Sequence, residues 1–475
     1  MISLPELLHQ NLKESNQLHL LQYWDALQEN ERVALVEQLQ AIDWKLMANL
    51  AVQGCGGSAM QIDFTELEPP RAFRSDGGDA EWTIEEAVDA GTSAIKDGTV
   101  AVVMVAGGQG TRLGFEHPKG MYPIGPVSSR TLFQIFVDRI KATCARYGVA
   151  IPLYLMTSDA THIETTEYFE ANHFFGLPRE LVTIFKQGTM PAVDAESGKC
   201  LLASPSSLAL SPDGHGGTLA ALHRSGCLGD AEQRGIQHLA YIQVDNPLAQ
   251  LCDPTFLGHH LLSKSQMTTQ VVKKRYPLER VGNVVQVRER VHIIEYSDLP
   301  ENLANQRQTD GELRFWAGNI AVHWFDLNFL KKSLLRADTL PFHRAVKKVP
   351  YLDSQGRLVK PAAPNAVKFE RFIFDLLPHA KNALVVEADP RDSFAPVKNA
   401  AGAETDTAEL AQAAMCDLHR SWLADAGVAV SEGVKVEISP QFALDSLELA
   451  TKVSPSETIT EHRFFDVDRC IPSND

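Results

Sequence analysis

The chain has 475 residues, too long for one ordinary domain, so two or three are expected. It is 44% hydrophobic and 22% charged, the balance of a globular protein, with 60 acidic against 44 basic residues and a formal net charge of −16. That charge argues against nonspecific binding to nucleic acid or an anionic membrane, and any anionic ligand must meet cations gathered locally.

Seven cysteines stand singly at Cys55, Cys144, Cys200, Cys227, Cys252, Cys416 and Cys470. Without a C-x-x-C pair they suit reduced thiols in a cytoplasm better than a disulfide framework or zinc ribbon. No basic segment followed by an apolar core opens the sequence, so no signal peptide is expected. No apolar run reaches about 18 residues, so no membrane span is expected.

Residues 1–60 have a helical pattern. Ser3-Leu-Pro-Glu6 matches a capping box with proline in the first turn. Leu35, Val36, Leu39 and Ile42 fall on one helical face. Pro69 to Asp79, rich in proline, glycine and charge, is a linker or loop. Glu81 to Lys96 predicts a further helix, closed by Asp97-Gly98. From Val100 onwards strands alternate with helices. The strands expected are Val100–Ala106, Leu153–Thr157, Leu181–Lys186, Leu239–Val244 and Met267–Lys273. The helices expected are Thr131–Tyr147, His162–Asn172 and Pro254–Ser263. Asn283–Val287 and Val291–Tyr296 predict an inserted hairpin. This order implies an α/β fold with a doubly wound, mixed but mainly parallel sheet. A helical N-terminal region over 1–96 precedes a catalytic domain over 97–389. A small C-terminal domain over 390–475 opens with a loop and a helix and closes with short strands such as Val434–Ile438.

Chemistry concentrates in Val105-Ala-Gly-Gly-Gln-Gly-Thr-Arg-Leu-Gly-Phe-Glu-His-Pro-Lys119, directly after the first strand. Its glycines let backbone approach a bound group closely, and Arg112 and Lys119 add two cations, a combination that suits a nucleoside triphosphate. Solvated loop cations are the competing reading. The stretch lacks the G-x-x-x-x-G-K-[ST] of a P-loop, and Leu113 stands where a dinucleotide fingerprint needs its third glycine. A second cluster, Ser211-Pro-Asp-Gly-His-Gly-Gly-Thr218, is either a surface turn or a second wall of a backbone-lined cleft for a base and a sugar. Tyr241-Ile-Gln-Val-Asp-Asn246 is an apolar strand ending in an acid. Asp245 at that carboxyl end is placed to hold magnesium, or else Asp245 or Asn246 caps a following turn. His259-His260 has no further ligand at metal spacing, which favours a structural role over zinc. Neither G-x-S-x-G nor H-E-x-x-H occurs, which leaves ordinary hydrolase and zincin chemistry without support.

These motifs resemble the sugar-nucleotide pyrophosphorylases. Pro118-Lys-Gly-Met-Tyr122 and Thr131-Leu-Phe-Gln134 are similar to one branch, the eukaryote-type UDP-N-acetylglucosamine pyrophosphorylases. The match keeps order through Gln187-Gly188, Pro212-Asp-Gly-His-Gly-Gly217 and Val244-Asp-Asn246. It resumes at Val281-Gly282, Glu295-Tyr296, Ala317-Gly-Asn319, Pro364-Asn365, Phe372-Ile-Phe-Asp375 and Phe394-Ala-Pro-Val-Lys-Asn399. The resemblance implies a Rossmann-like nucleotidyltransferase fold and a magnesium-assisted reaction of UTP with N-acetylglucosamine 1-phosphate. It also implies roles. Gly107, Gly108 and Gln109 present the loop to the nucleotide, and Gln187 and Gly214 read uracil. Arg112, Lys119 and Lys398 serve the phosphates, Asp245 holds magnesium, and Gly282, Glu295 and Asn319 hold the sugar, with Phe372 or Phe374 as a wall.

Three positions depart from the family pattern. His215 replaces an asparagine and introduces a titratable ring, Val322 replaces an asparagine before His323, and Ala395 replaces a serine near Lys398. They put sugar choice in question, so a UDP-glucose or broad UDP-sugar pyrophosphorylase is the alternative. A non-catalytic sugar-nucleotide-binding regulator would lack Arg112, Lys119, Asp245 or Lys398, and all four are present. A metal-dependent glycosyltransferase would place its metal on D-x-D, whereas Asp245-Asn-Pro247 supplies one acid. The expected protein is cytoplasmic, without nucleic-acid or membrane partners, and a monomer or weak homo-oligomer.

Overall fold

The apolar run that follows Asp97-Gly98 is fully covered, as its lack of alternation requires. In the computed structural model, which describes residues 4–52, 62–74, 81–336 and 340–467, this run is β1 (Val100–Val105) of a nine-stranded sheet. The other strands are β2 (Leu153–Thr157), β3 (Val182–Lys186), β4 (His238–Gln243), β5 (Met267–Lys273), β6 (Gly282–Val287), β7 (Arg290–Ile294), β8 (Ala317–Asp326) and β9 (Ala383–Glu387). One half, in the order β3-β2-β1-β4, is parallel throughout. In the other half β8 runs antiparallel to β4, β5 and β6, and β9 returns parallel to β5. The mixed sheet with its parallel half is the expected class, and every expected strand exists within two residues at either end. Strands β8 and β9 were not foreseen.

Helix ends follow local chemistry. The helix Ile84–Lys96 starts at a capping box in which Thr83 and Glu86 exchange hydrogen bonds. Leu132–Tyr147 is capped by the Thr131 hydroxyl and stopped by Gly148 in the left-handed conformation. It buries Leu132, Phe133, Ile135, Phe136, Val137 and Ile140 against the sheet residues Val102, Met104, Leu153 and Leu155. The capping box expected at Ser3 falls outside the described residues; the first helix spans Glu6–Glu14 with Pro5 at its N-cap. The loop at Pro69 is held to the sheet at both ends of its described part, by bridges Glu68–Gln286 and Phe73–Val386.

Two compact units emerge, each discontinuous in sequence. One combines residues 1–62, 187–218 and 338–375; the other combines 63–186, 219–337 and 376–475. In the first, Leu8, Leu12, Leu35, Leu39 and Trp44 of the N-terminal helices share a core with Val193, Leu208 and Phe369. In the second, which holds the whole sheet, Val397, Ala408, Met415 and Leu418 join the central core, while Val436, Ile438, Leu449 and Phe465 form a small core of their own. The five described cysteines, Cys144, Cys200, Cys227, Cys252 and Cys416, are free thiols; Cys55 and Cys470 lie outside the described residues. No helix among the described residues is long and apolar enough to cross a membrane.

Candidate functional site

The sheet-bearing unit presents its carboxyl strand ends with two cations and an acid. After β1 the chain enters the glycine loop. The Ser158 hydroxyl, from the end of β2, donates to the Gly107 carbonyl at 2.7 Å. Gly110 N–H donates to His117 O (2.8 Å) and Lys119 N–H to Gly108 O (3.0 Å), so the loop closes on itself. Gly110 is required there, because a Cβ would lie 2.7 Å from the Phe115 ring. Gly108 and Gln109 are exposed, and an added Cβ at Gly108 would meet nothing within 4 Å, leaving this backbone open to a ligand. Arg112 is exposed and has no ion pair among the described residues. The Lys119 ammonium lies 3.3 Å from the Asp245 carboxylate, with both side chains largely buried.

Asp245 follows β4 in a turn, and its carbonyl accepts from Val397 N–H at 2.8 Å. Its neighbour Asn246, 3% exposed, donates from its amide to Ser393 O (2.7 Å) and accepts from Ala395 N–H (3.0 Å). The segment 393–397 is thereby stitched to the end of β4, and Lys398 follows Val397 directly. Lys398 N–H in turn donates to Asp406 O at 2.7 Å. Burial pushes the Asp406 carboxyl up, with Lys398 pulling it back down, so Asp406 belongs to the same charged neighbourhood. The structure thus brings Lys119, Asp245 and Lys398 together and leaves Arg112 out on the loop. Sequence reading missed Asn246 as the staple and Asp406 as the companion acid. The partners of Asn246 lie about 150 residues away, and no local pattern signals them. The Ala395 departure keeps the contact that matters here, because that contact is made by its backbone.

Among the described residues no group of three or more His, Cys, Asp and Glu could hold a metal alone. Asp245 offers a single carboxylate, so magnesium there would complete its shell with substrate phosphates and water, its usual habit. The paired histidines are taken up by packing. His259 Nδ1 accepts from Trp82 Nε1–H (2.9 Å), and His260 bonds Thr268 Oγ1 (2.8 Å) and His238 (3.2 Å).

Gly282, Glu295 and Asn319 also converge. Gly282 pairs with Asn319 across β6 and β8, and a Cβ on Gly282 would lie 3.6 Å from Asn319 Cβ and 3.8 Å from Glu295 Oε1. β8 bulges here. Val271 faces Asn319 and Gln270 faces Val322, so Ile320 and Ala321 are extra, and Ala321 takes φ +57°. The Asn319 side chain holds the bulge by accepting from Ala321 N–H at 3.0 Å. Val322, 3% exposed, packs in the central core, which is why an apolar residue is tolerated there. The β6–β7 hairpin turns through Arg288 and Glu289, both at positive φ, as a two-residue turn of that hand requires.

The other unit carries the base and wall candidates. Gln187-Gly188 leads into Thr189–Pro191, which pairs with Leu210–Pro212, and Asp213 N–H donates to Gly188 O at 3.0 Å, so Gln187 and Gly214 lie at one end of a ribbon. The cluster is not a surface turn: Asp213, Gly216 and Gly217 are buried. Gly214 has φ +79°, and a Cβ there would sit 2.5 Å from Arg371 O. Arg371 locks the loop by a 2.7 Å ion pair with Asp213. His215 Nδ1 accepts from Ile373 N–H (3.3 Å) while its ring stacks on Phe372 at 5.2 Å. Burial, then the neighbouring His343, pushes His215 down to about 4, so it stays neutral near pH 7. Phe372 keeps accessible surface whereas Phe374 is 3% exposed, so only Phe372 has a face to offer. The His343 ring packs at a tilt against Phe372, 4.3 Å between centroids, and bonds Asp375 at 2.7 Å.

Known proteins share this architecture. The family profile described as UTP–glucose-1-phosphate uridylyltransferase matches residues 58–441. The UDP-N-acetylglucosamine pyrophosphorylase of Saccharomyces cerevisiae is 36% identical over 452 residues, covering 90% of this chain and 93% of its own. A UDP-N-acetylhexosamine pyrophosphorylase-like protein 1 of Xenopus tropicalis is 37% identical over 429 residues, 87% of this chain and 84% of its own. Among solved structures, the uridine diphosphate N-acetylglucosamine pyrophosphorylase of Trypanosoma brucei superposes with a TM-score of 0.83 at 26% identity, over 98% of this chain and 99% of the other.

Proposed function

This chain belongs to the UTP–glucose-1-phosphate uridylyltransferase family, and we propose on that premise that it converts UTP and N-acetylglucosamine 1-phosphate into UDP-N-acetylglucosamine and pyrophosphate. It is a nucleotidyltransferase. The relatives named for N-acetylglucosamine favour that sugar over glucose. The observation that carries the chemistry is the gathering of Lys119, Asp245 and Lys398 at the end of β4, beside an open glycine backbone.

The reaction needs little proton transfer. A phosphate-monoester oxygen of the sugar 1-phosphate attacks the α-phosphorus of UTP in line, the bond from that phosphorus to the bridging oxygen breaks, and pyrophosphate leaves with the electron pair. The obstacle is mutual repulsion of two anions and the charge that grows on the leaving group. Lys119 and Lys398 answer it with fixed positive charge, and Arg112 adds an exposed one. Gly107, Gly108 and Gln109 offer close backbone to the nucleotide. Gln187 presents an amide that matches the donor and acceptor edge of uracil, and Gly214 keeps that edge within reach of backbone. Gly282, Glu295 and Asn319 accept and donate to the sugar. A magnesium ion shared by Asp245 and the phosphates would neutralise charge as it moves.

The free thiols support a cytoplasmic setting. The test is pyrophosphate release from UTP and magnesium with N-acetylglucosamine, N-acetylgalactosamine, glucose and galactose 1-phosphates side by side. Preference for the N-acetyl sugars is expected; preference for the plain hexoses would move the chain to a UDP-glucose or broad UDP-sugar role. No release from any would overturn the assignment.

A further inference from the structure

A buried lysine, Lys274, stands behind the three sugar candidates without being one of them. It is 4% exposed and follows β5. Its ammonium donates to Asn283 Oδ1 at 2.5 Å and to Pro277 O at 3.2 Å. Asn283, 2% exposed, passes the contact on: its amide nitrogen lies 3.4 Å from Ile294 O, its cross-strand partner. Asn283 is the neighbour of Gly282, and Ile294 is the neighbour of Glu295. On the other side, Asn283 pairs with Gly318, the neighbour of Asn319, and the Lys274 stem packs beneath Gly318, with its Cγ 3.3 Å from where a Cβ would stand. Lys274 N–H also donates to Trp316 O at 2.8 Å, which fixes the entry to β8.

One lysine therefore braces the backbone on both sides of the trio, its ammonium through Asn283 beside Gly282 and Glu295 and its stem beneath Gly318 beside Asn319. Burial pushes Lys274 down to about 8, with the nearby Glu279 carboxylate pulling it back up. A buried cation is costly to hold, and an apolar residue would complete a merely structural corner more cheaply. Holding a charge here makes sense where the hairpin must keep a fixed spacing to β8.

We propose that Lys274 is a positioning residue that sets the β6–β7 hairpin against β8 and thereby fixes the affinity and selectivity for the sugar 1-phosphate. The inference rests on the proposed uridylyltransferase reading. Lys274 does not touch the phosphates or the nucleotide loop in this scheme, so its effect must fall on one substrate only.

The test is steady-state kinetics of Lys274→Met, Lys274→Arg and Asn283→Asp, with UTP and each sugar 1-phosphate varied in turn. Wild-type turnover is measured first. Its absence with every sugar phosphate removes the reading itself, together with this inference, whereas its presence isolates the role of Lys274. Lys274→Met leaves the Asn283 acceptor buried and unmet, so KM for the sugar 1-phosphate should rise on the order of tenfold. Its KM for UTP and its kcat should stay within about threefold of wild type. Lys274→Arg should lie between the two, and so should Asn283→Asp, which keeps an acceptor for the ammonium but loses the amide donor to Ile294 O. Equal rises in both KM values, or no change in either, would overturn the proposal. Should Lys274→Met fail to fold, Lys274→Arg and Asn283→Asp decide it by the same split between substrates.

Discussion

Replacing Lys119 by methionine separates charge from packing, because the stem length is kept and only the ammonium goes. The Lys119 backbone is held independently by its N–H bond to Gly108 O, so the loop should keep its shape. The lost contact to Asp245 is 3.3 Å long and lies between side chains 17% and 14% exposed. Such a partly solvated pair contributes about 1 kcal/mol to stability. For a chain of 475 residues the unfolding entropy is roughly 1 kcal/mol per degree, so Tm should move by only about 1–2 °C. Turnover should behave differently. A fixed cation facing the developing charge of a leaving pyrophosphate is worth about 3–4 kcal/mol in a water-poor site, so kcat should fall by roughly 10²–10³. Pyrophosphate release at saturating UTP and magnesium, alongside a thermal melt, reads both. A variant with normal Tm and kcat within fivefold of wild type would refute the charge-stabilising role; a Tm loss of many degrees would mean that the pair holds the loop instead.

Three further outcomes follow from the geometry. Asp245→Asn keeps the shape but removes the carboxylate that closes β4, so the magnesium concentration for half-maximal activity should rise more than tenfold; an unchanged titration eliminates Asp245 as ligand. Gln187→Ala should erode discrimination of UTP against other triphosphates by roughly ten- to a hundredfold, since one polar edge is left unmatched, and retained discrimination would place base reading elsewhere. Burial first, then Arg139, pushes His419 down to about 4, and its Nδ1 accepts from Ile438 N–H. The unfolded chain takes up this proton below about pH 6.5 while the native state refuses it, so stability is full above that pH and falls as pH drops towards 4. His419→Gln keeps an acceptor and should flatten that fall by up to about 1.4 kcal/mol per pH unit in urea unfolding between pH 6.5 and 4.5. Parallel curves for the two proteins would show that His419 is not held neutral. Asp138, raised to about 6 by burial, works in the opposite direction in both proteins and cancels from the comparison.

Local chemistry in the sequence determined much of this protein. The apolar runs of β1 and β2, the Thr131 cap and Gly148 stop, the glycine loop and the acid closing β4 all stand where their own neighbours dictate, because each depends on contacts within a few residues. The motif order also carried the family. Tertiary structure decided the rest. Strand β8 inserts antiparallel between β4 and β5, a pairing that no segment encodes alone. The recruitment of Lys398 depends on Asn246 bonding residues 393 and 395, a contact across about 150 residues with no sequence period to announce it. Whether His215 titrates depended on the rings stacked around it, and whether Phe372 or Phe374 offers a face depended on which one the core took. Val322 looked like a missing polar contact and proved to be a core side chain. Sequence specifies which groups are available; burial and long-range pairing decide which of them keep their charge, their surface and their partners.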